Sequence, residues 1–194
     1  MTRIIAGSRG GRRLATPSHA RTRPTTDRVR EAVFSAIADF FDRGGLAAED
    51  SLTGLSFCDL YAGSGAVGLE AASRGAAPVL LVERDRATAA VARSNAAALG
   101  LAAAVRVAPV ERIVAAVPPE PFRIVWLDPP YDMPSERVGD VLATLCEARW
   151  LAPDPLVVVE RSGRSDPVPW PRPLPIRWKR RYGETAVYYA AEEE

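Results

Sequence analysis

The sequence predicts an α/β protein: an open, mostly parallel sheet of seven strands, helices on both faces, and a closing antiparallel hairpin. Three observations predict it. From residue 56 onward, short apolar runs alternate with stretches of helical periodicity. A glycine-rich turn joins the first of those runs to the helix that follows. The last two runs, Arg177–Arg181 and Thr185–Ala190, flank Tyr182-Gly183-Glu184 and read as a hairpin. At 194 residues, 47% apolar and 25% charged, the chain suits one domain with a real core.

The elements follow in order. Arg3–Gly7 and Arg12–Ala15 flank Ser8-Arg9-Gly10-Gly11, the pattern of a small β-hairpin. Pro17–Pro24 is a polar, arginine-rich connector, and its His19 receives no role. Thr25 or Thr26 can cap the helix after it. Val29, Val33, Phe34, Ile37 and Phe41 form that helix's apolar stripe. Arg28 and Arg30 lie off the stripe and are expected to face solvent or a ligand. The first core strand is Ser56–Leu60, followed by a helix through about Arg74. Pro78–Val82, Val105–Val107, Phe122–Leu127 and Leu156–Glu160 are the next strands. Ala87–Leu99, Arg112–Val117 and Ser135–Glu147 are the helices between them, the first closed by Gly100. Prolines 167, 169, 171, 173 and 175 mark an extended connector before the hairpin. Residues 1–20 are thus expected as a hairpin extension, and 21–194 as the catalytic domain. On this reading the core begins after the extension, so its removal is expected to leave the fold intact.

No apolar run approaches the ~18 residues that cross a membrane. Met1–Ile5 lacks the apolar stretch of a signal peptide. Cys58 and Cys146 read as reduced thiols. Together these point to a cytoplasmic protein. The net charge of +1 conceals a segregation. Residues 1–30 carry +7 and residues 161–181 carry +6, whereas residues 31–160 carry −8. Basic ends around an acidic middle form a polyanion-binding surface if the two ends meet in space.

Asp59-Leu60-Tyr61-Ala62-Gly63-Ser64-Gly65-Ala66-Val67-Gly68 places G-x-G-x-x-G between a strand and a helix. Glycine permits the tight turn and the close approach of a ligand to the main chain. Glu83 ends the next strand, where a carboxylate can accept from both ribose hydroxyls of an adenosine. The motif alone does not separate NAD from S-adenosylmethionine. Asp59 favours the latter, because a carboxylate there can meet the methionine ammonium. Hydride transfer would also need substrate machinery, and the chain has one histidine, in a loop.

Asp128-Pro129-Pro130-Tyr131 follows the fourth strand, at the carboxyl edge where open α/β sheets bind ligands. Two prolines stiffen the backbone and remove two N–H donors. The Asp128 carboxylate and the Pro129 carbonyl remain as acceptors, and Tyr131 adds a face for stacking a base. A base amino group is a poor nucleophile because its lone pair is delocalised into the ring. Two acceptors can hold its N–H bonds and turn the lone pair toward an activated methyl group. No metal is required, and no ligand cluster is visible.

These residues resemble the bacterial 16S ribosomal RNA (guanine-N2)-methyltransferase D family, nearly end to end. Arg3-Ile4-Ile5-Ala6-Gly7 and Arg23-Pro24-Thr25-Thr26-Asp27-Arg28-Val29-Arg30-Glu31, with Phe34, match its N-terminal signature. Asp59–Gly68, Leu69-Glu70-Ala71 and Ser73-Arg74-Gly75-Ala76 match its cofactor region, Asp128–Tyr131 its catalytic motif, and Tyr182-Gly183 its last strand turn. The resemblance implies a class I S-adenosylmethionine-dependent methyltransferase, Rossmann-like in fold. It implies methylation of N2 of one guanine, guanine 966, in 16S rRNA of an assembled or nearly assembled 30S particle, by a monomer. Tyr61, Gly63, Ser64, Gly65, Gly68, Glu83 and Arg84 join Asp59 as the expected cofactor residues. Where related enzymes carry Asp or Asn for the adenine amino group, this chain reads Val107-Ala108-Pro109-Val110. Adenine is then expected against the main chain and apolar surface of Ala108, Pro109 and Val110.

Two other readings stay open. Adenine-N6 and cytosine-N4 methyltransferases can carry the same tetrapeptide, although those acting on DNA usually add a large recognition domain. A non-catalytic RNA-binding assembly factor could keep the fold. For the RNA itself, the expected grip is Arg3, Arg9, Arg12, Arg13, Arg21, Arg23, Arg28 and Arg30, since a flipped base needs its neighbouring phosphates held.

Overall fold

The computed structural model describes residues 2–17 and 26–192. The elements run α1 (Asp27–Phe40), β1 (Phe57–Leu60), α2 (Ala66–Ser73), β2 (Val79–Glu83), α3 (Arg86–Leu99) and β3 (Ala104–Val107), then α4 (Val110–Val114), β4 (Phe122–Leu127), α5 (Ser135–Glu147), β5 (Leu151–Ser162), β6 (Ile176–Tyr182) and β7 (Thr185–Ala190). The sheet order is β3-β2-β1-β4-β5-β7-β6. Strands β1 to β5 are parallel, β7 is antiparallel to β5, and β6 is antiparallel to β7.

Alternation along the strands divides the core in two. Phe57, Leu81, Ile124, Trp126, Leu156 and Val158 face one side, where α1, α2, α3 and the N-terminal hairpin pack. Cys58, Leu60, Val82, Val125, Leu127, Val157 and Val159 face the other, under α4 and α5. The proline-rich connector covers that second face through Val168 and Leu174.

Several boundaries differ from the sequence reading. β5 begins at Leu151 rather than Leu156, because Pro153 and Pro155 fall at an irregularity of its pairing with β4. α4 starts two residues early, at Val110, after Pro109 as its cap. At α1, Thr26 Oγ1 accepts from Val29 N–H at 3.4 Å. Arg21, Arg23 and Thr25 lie outside the described residues.

The N-terminal hairpin forms as expected, with Ile4 N–H donating to Arg12 O at 2.8 Å and Leu14 N–H to Thr2 O at 2.9 Å. It is not separable from the core, however. Ile4 is 0% and Leu14 5% exposed, both inside the first core cluster. The fully buried Glu70 of α2 accepts from Ile5 N–H at 2.6 Å, from Ala6 N–H at 3.0 Å and from Arg74 Nε at 2.8 Å. Ser73 Oγ donates to Ala6 O at 2.7 Å and accepts from Arg9 N–H at 3.0 Å. The expectation that the core begins after the extension is therefore corrected. The hairpin supplies partners to a buried carboxylate and apolar side chains to the core.

Candidate active site

Four carboxylates reach the carboxyl edge of four adjacent strands: Glu83 ends β2, Asp59 lies in β1, Asp128 follows β4 and Glu160 lies in β5. Each keeps the parity of the first core face, so the strands aim them to one side of the sheet. Leu127 pairs with Val159, which brings Asp128 level with Glu160.

The glycine loop is built against two of these acids. Gly65 caps α2 in the left-handed region, φ 85°, a conformation glycine adopts without a side-chain clash. A Cβ on Gly68 would stand 2.1 Å from Leu81 Cδ2, so this glycine serves close packing of α2 on β2. Its N–H donates to Asp59 Oδ2 at 2.9 Å. Asp59 is buried, and burial first and Glu83 second raise its pKa to about 7, against the Gly68 hydrogen bond. Glu83 Oε2 accepts from Gly63 N–H at 3.0 Å, and its Oε1 from Asp85 N–H at 2.8 Å. At Gly63 nothing stands within 4 Å of where a Cβ would be. An acceptor beside open main chain fits an adenosine whose ribose hydroxyls donate to Glu83.

The remaining expected cofactor positions divide. Ser64 is half-buried, and its carbonyl accepts from Asn95 Nδ2 at 3.0 Å. Arg84 and Pro109 are exposed, and the half-buried Ala108 donates its N–H to Glu83 O at 3.2 Å. Val110 is 3% exposed and packs in the second core cluster, so its side chain is not an adenine contact; the start of α4 turns it inward. Tyr61 has φ 71°, strained for a tyrosine, and turns away from the loop so that its hydroxyl lies 3.6 Å from Met133 Sδ. Burial pushes its pKa up.

Asp128 is open to solvent on one side and closely surrounded on the others. Its pKa rises well above the ordinary carboxylate range, through desolvation first, then Glu160 and Asp59, with Arg161 opposing. Its open side tempers that rise. Pro129 is buried, and Pro130 O accepts from Met133 N–H at 2.9 Å, closing a turn. Tyr131 is 56% exposed. Sequence reasoning missed Glu160 and Arg161, which are 5% and 6% exposed beside Asp128. The available signal was a charged pair ending an apolar strand.

The expected RNA grip is redistributed. Arg30 is 2% exposed and donates to Asp27 Oδ1 and Arg3 O at 2.9 and 2.8 Å. It is a structural tie, because the hairpin covers the side of α1 that the apolar stripe leaves open. Arg3 is exposed and pairs with Asp27 at 2.8 Å. The half-buried Arg9 donates to Leu99 O, the last residue of α3, at 2.5 Å. Arg12, Arg13 and Arg28 are exposed. The two basic segments also stand apart. The hairpin meets the first turn of α1, whereas Phe40 at its other end packs on Trp178 of β6. Those two contacts lie about 20 Å apart along α1 at the helical rise of about 1.5 Å per residue.

Comparison with known proteins follows this geometry. A family model described as conserved hypothetical protein 95 matches residues 2–191. The chain is 34% identical to YlbH of Bacillus subtilis, over 95% of this chain and 96% of that one. It is 36% identical to the ribosomal RNA small subunit methyltransferase D of Escherichia coli, over 81% of this chain and 73% of that one. The solved structure of Escherichia coli yhhF superposes with a TM-score of 0.84 at 30% identity, covering 100% of this chain and 98% of that one. The chain therefore belongs to the family of the ribosomal RNA small subunit methyltransferases D.

Proposed function

We propose that the chain transfers the methyl group of S-adenosylmethionine to the exocyclic N2 of one guanine, guanine 966, of 16S rRNA. Its partner is the small ribosomal subunit, assembled or nearly so, and it acts as a monomer in the cytoplasm. The observation that carries the reading is Asp128-Pro129-Pro130-Tyr131 at the carboxyl edge of β4, in the strand next to the glycine loop and level with Glu160. The names of the relatives supply the ribosomal substrate. A solved structure titled as an RNA methyltransferase of Salinibacter ruber with S-adenosylhomocysteine shares the fold, at 21% identity and a TM-score of 0.61.

The cofactor supplies a methyl group already activated on a sulfonium sulfur. Glu83 holds the ribose, and the main chain at Gly63 lies open to the ligand. Asp128 and the Pro129 carbonyl accept the two N–H bonds of the amine, while Tyr131 stacks on the base. The amine becomes acidic once methylated, so its proton can leave to water and Asp128 need not act as a base. Arg12, Arg13 and Arg28, with Arg3, offer phosphate contacts.

The assay is transfer from radiolabelled cofactor to undermethylated 30S particles, naked 16S rRNA and duplex DNA in parallel. Label is expected in the particles, at a guanine N2 in the digested RNA. Label at an adenine or cytosine, or in DNA alone, would replace the reading. No label in any substrate would support a binding role.

Asp59 yields a separate expectation. If its carboxylate meets the methionine ammonium, binding must drive off the proton it holds below pH 7. Affinity for S-adenosylhomocysteine is then expected to be roughly 30-fold lower at pH 5.5 than at pH 8, by proton linkage. Asp59→Asn should flatten that dependence. Calorimetry across pH measures both; an affinity independent of pH in the wild type would leave Asp59 as a support of the loop.

A further inference from the structure

Arg161 is a buried arginine next to the tetrapeptide that the reaction as described does not use. Its Nη2 donates to Met133 O at 2.8 Å and lies 3.5 Å from Ser135 Oγ. Ser135 Oγ in turn donates to Asp166 O at 2.7 Å. Met133 N–H closes the turn on Pro130 O at 2.9 Å. The guanidinium therefore grips, by its carbonyl, the segment that leaves the two prolines and carries Tyr131. Among the described residues, Arg161 Nε has no hydrogen-bond partner.

A guanidinium 6% exposed is costly to desolvate, and one carbonyl does not offset that cost. Burial is the larger effect and lowers its pKa, and neighbouring charge opposes part of that. The groups acting on Asp128 are Glu160 and Arg161 from β5 and Asp59 from β1. Those acting on Arg161 are Asp128, Tyr188 of β7 and Tyr61 after β1. Among these groups Arg161 is the one cation acting on Asp128, against two carboxylates. A protonated Asp128 would present a donor to the substrate amine and lose an acceptor.

We propose that Arg161 is a positioning residue for methyl transfer: through Met133 it fixes the segment that bears Tyr131, and its charge offsets the Asp128–Glu160 pair. The proposal rests on the methyl-transfer reading above and names a residue that touches neither substrate nor cofactor. It predicts a change in pH dependence that a merely structural role would not produce.

The test is single-turnover methyl transfer to undermethylated 30S particles at saturating S-adenosylmethionine, from pH 5.5 to 9, for wild type, Arg161→Gln and Arg161→Lys. Calorimetry with S-adenosylhomocysteine on the same proteins checks the cofactor site. In Arg161→Gln the acid limb of the rate is expected to move to higher pH, because the cation acting on Asp128 is gone. Its maximal rate should fall roughly 10- to 100-fold, with cofactor affinity kept within about threefold. Lysine restores charge but cannot reproduce the planar guanidinium grip. Arg161→Lys should therefore return the acid limb to the wild-type position and recover only part of the rate. An acid limb unmoved in Arg161→Gln overturns the proposal. If that variant fails to bind cofactor, Arg161→Lys decides: a displaced acid limb, or a wild-type maximal rate, overturns it. A wild type that transfers no methyl group to any RNA refutes the methyl-transfer reading itself, a result distinct from unchanged variants of an active enzyme.

Discussion

Asp128→Ala is expected to lower the single-turnover rate of methyl transfer by about 100- to 1,000-fold, the loss seen when one aligned polar group is removed from a reacting centre. The reason is geometric. The backbone after β4 has no N–H at Pro129 or Pro130, so the carboxylate and the Pro129 carbonyl are the acceptors the segment offers to an amine. Without the carboxylate, the amine lone pair is no longer directed toward the methyl group. Cofactor affinity should stay within a few fold, because Glu83 and the open main chain at Gly63 are untouched. Asp128→Asn should fall between, since its amide offers one oxygen acceptor and an NH2 that opposes the amine. Rapid-quench transfer to 30S particles measures the rate, and calorimetry with S-adenosylhomocysteine the affinity. A wild-type rate in a folded Asp128→Ala enzyme would remove Asp128 from the mechanism.

Deleting residues 1–15 is expected to cost most of the stability of the whole domain. Ile4 and Leu14 leave the core, worth about 1.5–3 kcal/mol each when fully buried. Glu70 loses two of its three hydrogen-bond donors, the N–H groups of Ile5 and Ala6. Each lost hydrogen bond to a charged group costs about 1.5–3 kcal/mol. Together these approach the 5–15 kcal/mol by which domains of this kind are stable. Thermal unfolding followed by circular dichroism should show a large drop in Tm, or no cooperative transition. Glu70→Ala, with the hairpin kept, should be destabilised by roughly 3–5 kcal/mol, because Arg74 Nε and the Ile5 and Ala6 N–H groups lose their acceptor, Arg74 keeping only Glu31 among the described residues. A truncated chain with wild-type Tm would restore the hairpin as a separable arm.

The site was legible where chemistry follows local order. A carboxylate at the end of a strand, a glycine turn before a helix and two prolines after a strand each declare their conformation within a few residues. Asp59, Glu83 and Asp128 could therefore be placed at one edge of the sheet before any contact was known. Val110 was assigned to the cofactor on the same grounds, yet its side chain fills the core. Motif membership does not distinguish a residue that touches a ligand from one that shapes its surroundings.

By itself the sequence determined the α/β class, the parallel strands with their closing hairpin, and the edge at which the chemistry sits. These follow from hydrophobic period and turn residues, which act over a few positions. Only the tertiary structure decided what lies beside what. Arg30 stands off the apolar stripe of α1, and periodicity cannot say whether another element covers that side; the hairpin does, 27 residues away in sequence at Arg3. Glu70 gains its buried partners only when Ile5 and Ala6, 65 and 64 residues away, present their N–H groups to it. Glu160 and Arg161 gain their relation to Asp128 only from the register of β5 on β4. A charge reports its environment through distance in space, and the fold brings together residues that the sequence holds far apart.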